Sequence, residues 1–112
     1  MNKKKIMKSG NIYSGIGKAT PDEIFDSIFI NASGRVERII SNGQATPEGE
    51  WYDQDKDEWV LLLQGSAGVL LEGEDEPVIL LPGDYLLLPA RCRHRVAWTD
   101  QKTQTVWLAV HM

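Results

Sequence analysis

GEWYDQDKDEWVLLLQG, Gly49 to Gly65, and GDYLLLPARCRH, Gly83 to His94, are the stretches whose reading decides the fold. In the first, an acidic run ending at Glu58 leads into the apolar strand Trp59 to Leu63 and breaks at Gln64 and Gly65. In the second, the turn Pro82 to Asp84 separates Val78 to Leu81 from Tyr85 to Leu88, and Pro89 to His94 follows. The spacing is a carboxylate heading a strand, then a glycine after six residues. A second glycine follows, then a proline after five residues, then a histidine.

Working outward, short apolar strands separated by turn formers continue in both directions. Val36, Ile39 and Ile40 predict a strand that stops at Ser41, Asn42 and Gly43. Further strands are expected near Trp51, at Ala67 to Leu71, at His94 to Thr99 and at Thr105 to His111. This pattern predicts an all-β domain, an antiparallel sandwich or barrel. One segment is ambiguous. Thr20, Pro21, Asp22 and Glu23 read as a helix cap, and Ile24, Phe25, Ile28 and Phe29 recur at helical spacing, yet the short, isoleucine-rich run suits a strand equally.

The two stretches resemble the paired motifs of the cupin superfamily, small jelly-roll barrels that usually carry a metal. The first motif of that family has a glycine, two histidines flanking one residue, a glutamate three or four residues on, and a glycine after six more. Gly49, Glu58 and Gly65 match. The histidine places fall on Trp51 and Asp53 with the longer gap, or on Tyr52 and Gln54 with the shorter. In the second motif Gly83, Pro89 and His94 match, while Arg91 and Trp98 stand where a glycine and an asparagine are usual. The resemblance implies a single-domain cupin-like antiparallel jelly-roll barrel over residues 20–112. A flexible or loosely attached basic segment, residues 1–19, is expected before it.

In RCRHR, strand alternation sets Arg91, Arg93 and Arg95 on one face and Cys92, His94, Val96 and Trp98 on the other. The second face, which continues into valine and tryptophan, is expected to point inward. Glu58 shares a face with Val60 and Leu62, and a carboxylate among apolar side chains needs a partner. Two readings follow. One places a divalent ion (zinc, nickel, manganese or iron) on Glu58 and His94, with oxygen donors from Asp53 or Gln54. The other makes Glu58 and His94 a hydrogen-bonded pair in a metal-free pocket for a small molecule, lined by Trp98, Cys92, Tyr52 and Trp51. His111, beside the terminal Met112, reads as structural or exposed, although the last strand could bring it to the pocket.

Other chemistries are excluded by what the 112 residues contain. Asp53, Asp55 and Asp57 alternate as a calcium loop begins, but the glycine and closing glutamate of that loop are missing. GSAG, Gly65 to Gly68, is a hairpin turn without the lysine of a phosphate-binding loop. No serine sits in a nucleophile elbow. The formal net charge is −4 and the lysines gather at the amino terminus. Nucleic acid is therefore not an expected partner. No apolar run approaches the ~18 residues of a membrane helix, and Cys92, the single cysteine, suits a reducing, cytoplasmic setting. Trp59 to Leu63 is apolar on both faces, so one face fills the barrel and the other predicts an association surface and a homodimer.

Overall fold

The computed structural model describes residues 8–112. Among them are eight strands and no helix. These are β1 (Ile24–Asn31), β2 (Gly34–Ser41), β3 (Glu58–Gln64), β4 (Ala67–Leu71), β5 (Val78–Leu80), β6 (Tyr85–Leu88), β7 (His94–Thr99) and β8 (Thr105–His111). They form a five-stranded sheet in the order β1-β2-β8-β3-β6 and a three-stranded sheet in the order β5-β4-β7. All pairings are antiparallel, in the jelly-roll architecture expected from the sequence. The strand expected near Trp51 is reduced to a bridge between Tyr52 and His94.

The ambiguous segment is a strand. Ile24–Asn31 pairs with β2 across the loop Ala32–Ser33, where the Asn31 side-chain oxygen accepts the amides of Ser33 at 2.8 Å and Gly34 at 3.2 Å. A long-range ladder gives the backbone cross-strand partners that an isolated short helix could not stabilise alone. Thr20 does not cap a helix; its hydroxyl donates to the Asp22 carbonyl at 2.6 Å.

Strand alternation divides each element between two faces. Val60 and Leu62 of β3, Trp107 and Ala109 of β8, Ala67 and Val69 of β4 and Leu80 of β5 are buried together between the sheets. Outside the larger sheet, the chain before β1 runs across β2. Arg38 donates to the carbonyls of Ile12 at 3.0 Å and Ser14 at 2.6 Å, and Gln104 donates to that of Gly17 at 3.0 Å. Residues 1–7 of the expected flexible segment lie outside the described residues. No helix among the described residues is long and apolar enough to cross a membrane.

Candidate functional site

Beyond Val60, Val69 and Trp107 the space between the sheets opens into a cavity of about 300 Å³. That is near the lower end for small-molecule sites. Its polar lining comes from six places in the chain, the first being Glu23 just before β1. Glu58 heads β3, His94 heads β7, His111 ends β8, Arg35 and Glu37 lie on β2, and Tyr52 and Gln54 precede β3. Register explains the convergence: Glu58 pairs with His111, and His111 with Arg35, across the β3–β8–β2 ladder. The inward side of that ladder ends in ionisable groups, whereas its middle is apolar.

Glu58, His94 and His111 are 7%, 6% and 4% exposed. His94 Nδ1 lies 3.0 Å from the Cys92 carbonyl. A carbonyl only accepts, so Nδ1 carries the proton and, in the neutral ring, Nε2 presents its lone pair to Glu58 Oε1 at 3.6 Å. His111 Nε2 lies 2.9 Å from Glu37 Oε1 and 3.7 Å from Glu58 Oε2. Glu58 thus stands between two imidazoles, neither close enough to its carboxylate for a hydrogen bond. Burial raises its pKa, an effect opposed by His111 and then His94. Tyr52, whose ring stacks on His94 with centroids 5.5 Å apart, is also raised, first by burial and then by the Glu23 carboxylate. Its phenol therefore stays protonated and can donate.

The raised Glu58 pKa has a stability consequence. A carboxyl with a higher pKa folded than unfolded favours the folded state fully only below the unfolded pKa, and that contribution disappears as pH rises through the folded pKa. Glu58→Gln, which carries no charge at any pH, is expected to melt above the parent at about pH 8, the gap narrowing towards about pH 4. A constant or inverted gap in paired melting curves would contradict this placement of charge.

The structure separates the residues singled out in the sequence. Glu58, His94, Gln54 and Tyr52 line one cavity, and Trp51, Asp53, Cys92 and Trp98 do not. Trp51 lies under the Arg93 guanidinium, 5.9 Å from it, and Asp53 pairs with Arg91 at 3.1 Å. Of the two spacings for the first motif, the shorter, on Tyr52 and Gln54, is the one whose side chains reach the cavity. Cys92 precedes the strand and contributes its carbonyl rather than sulfur. Trp98 is displaced by a bulge. Val69 pairs with Val96 but Gly68 pairs with Trp98, so Ala97 is inserted and the alternation flips. The indole then covers Gly68, where a Cβ would come within 2.3 Å of Trp98 Nε1.

Glu37, Arg35 and Glu23 also line the cavity but were not singled out as site residues in the sequence. Apolar residues on both faces of β2 hide which one is inward, although Glu37 shares its face with Ile39 by simple alternation.

Cupin barrels usually carry a metal, and the donors present bear on whether this one does. No group of three or more His, Cys, Asp or Glu among the described residues has the arrangement of an ion site. Asp53 is turned away to Arg91, and His111 Nε2 is engaged by Glu37. What remains together is Glu58, His94 and the neutral Gln54 amide, a set that does not fit a resident zinc, nickel, iron or manganese ion.

Comparison with known proteins agrees with this architecture. The model of the cupin domain family matches residues 36–111. A crystal structure of a candidate mannose-6-phosphate isomerase from Ralstonia eutropha JMP134 is 53% identical, with 93% of this chain and 96% of that chain covered and a TM-score of 0.90. A cupin superfamily protein from Desulfitobacterium hafniense DCB-2 is 17% identical over 87% of this chain and 83% of its own, TM-score 0.70. The TT1209 protein from Thermus thermophilus is 18% identical over 94% of this chain and 96% of its own, TM-score 0.75. No curated protein matches. Two sheets closed around a cavity, the spacing of Gly83, Pro89 and His94, and a family match over most of the length make this chain a member of the cupin superfamily.

Proposed function

We propose that the cavity binds a sugar-sized polyhydroxylated carbonyl compound and moves a proton on it, as in aldose–ketose isomerisation, without a resident metal. One observation carries this reading: a carboxylate only 7% exposed, with no hydrogen bond among the described residues, faces the cavity between two imidazoles. A buried carboxylate without a hydrogen bond is costly, and a raised pKa brings a carboxyl towards the range where a general base works best. Glu58 takes the proton from the carbon beside the carbonyl, and that C–H electron pair becomes the enediol double bond. The Tyr52 hydroxyl donates to the carbonyl oxygen as charge develops there. His94 Nε2 takes the proton of the neighbouring hydroxyl and passes it to the former carbonyl oxygen, while Glu58 returns its own proton to the adjacent carbon, so that both groups regain their starting protonation. Gln54 Oε1, buried without a partner, supplies an acceptor for a ligand hydroxyl. The name of the 53% identical relative supports an isomerase, and its substrate class is taken no further than a hexose. The test is interconversion of mannose and fructose followed by NMR. Turnover lost in His94→Ala supports the reading, and a parent that neither turns over nor is thermally stabilised by any hexose sinks it.

The protein is further proposed to act as a homodimer. Outside the cavity, Trp59 of β3 packs on Tyr85 of β6 with ring centroids 5.8 Å apart. Tyr85 and its near neighbour Leu87 are 67% and 55% exposed. Burying this face against a second copy removes apolar area from water. Leu87→Glu is expected to halve the mass seen by light scattering with the circular dichroism unchanged. A parent already monomeric at high concentration would contradict it.

A further inference from the structure

The same cavity holds a second carboxylate group that proton transfer leaves unused. Glu23, just before β1, lines it, and its carboxylate accepts from the hydroxyl of Ser41, which in turn accepts from Trp107 Nε1 at 3.1 Å. Glu23 is close enough to the Tyr52 phenol to hold its pKa up. Glu37 has His111 at 2.9 Å and Arg35 at 3.7 Å, whereas Glu23 has no ion-pair partner among the described residues. The cavity as a whole sets three carboxyls, Glu23, Glu37 and Glu58, against the single guanidinium of Arg35. Gln54 Oε1, buried in the same lining without a hydrogen-bond partner, independently marks this space as one that a ligand completes.

We infer that the ligand carries a primary ammonium group received by Glu23, so that the substrate class is an amino sugar or amino polyol and not a sugar phosphate. Tyr52 and Trp107 line the same cavity, and the Tyr52 phenol lies near enough to feel the Glu23 charge. A phosphate ester would instead bring two negative charges to a lining already in carboxylate excess, with only Arg35 to meet them. Burial alone raises Glu23, opposed by the Ser41 hydrogen bond, and a bound ammonium would relieve that cost.

The inference rests on the cavity being a sugar site, and the experiment separates the two. Calorimetric titration of the untagged protein with glucamine, sorbitol and sorbitol 6-phosphate uses unreactive ligands of similar length that differ in charge. Glucamine is expected to bind about tenfold tighter than sorbitol, the size of one charge-assisted hydrogen bond, and the phosphate more weakly than either. In Glu23→Gln the glucamine-to-sorbitol ratio should fall to about one. Should that variant not fold, the preference in the parent must instead weaken as acid protonates Glu23. Equal binding of glucamine and sorbitol overturns the ammonium subsite alone. Tightest binding of the phosphate overturns it as well, and binding of none overturns both it and the sugar-site reading.

Discussion

Replacing Glu58 with glutamine is expected to slow proton exchange at the carbon beside the sugar carbonyl by about 10² to 10⁴-fold, the usual contribution of a positioned general base. The amide keeps the shape and removes the basic oxygen, so the loss should fall on kcat more than on KM. The variant should remain folded, and its expected stability above the parent at about pH 8 distinguishes lost chemistry from lost structure. An active site often retains a charge at the expense of stability, and Glu58 fits that pattern. Undiminished exchange in Glu58→Gln, measured in D2O, would remove Glu58 from the reaction.

Leu62→Ala is expected to cost about 2–5 kcal/mol and to lower the melting temperature by roughly 10 °C or more. Leu62 is 0% exposed and packs in the cluster that floors the cavity. Its backbone also fixes the turn before β6, donating to the Asp84 carbonyl at 2.9 Å and accepting the Gly83 amide at 2.7 Å. The neighbouring apolar cluster leaves little room to close the gap, so a cavity term adds to the transfer term. Ile79, 60% exposed on β5, is the control: its replacement by alanine should change stability by no more than about 0.5 kcal/mol. Similar losses at both positions would mean that the core does not lie where the register places it.

The all-β fold was legible because its strands are short and apolar and end at turn formers. Ala67–Leu71, Tyr85–Leu88, His94–Thr99 and Thr105–His111 follow their sequence limits. The Thr20–Phe29 segment was not, because cap chemistry is local while pairing with β2 is long-range. Glu58, His94, Tyr52 and Gln54 could be found from strand spacing, but Trp98 could not be placed, since an inserted residue at Ala97 leaves no mark in the alternation that precedes it. His111 and Glu37 illustrate a different difficulty. Each strand is apolar on both faces, and only the β2–β8–β3 register reveals that their ionisable ends meet at one rim.

The measurement that tests the central claim most directly is solvent deuterium incorporation by chelator-treated protein. Mannose and mannosamine are incubated with it in D2O, and the hydrogen beside the carbonyl is followed by NMR, with and without added manganese, iron, nickel or zinc. Metal-free proton transfer predicts exchange on at least one sugar, unchanged by the ions and lost in Glu58→Gln. Exchange that appears only when an ion is restored, with that ion bound near stoichiometrically and lost with Glu58 or His94, would contradict the account and make the Glu58–His94 pair a metal centre.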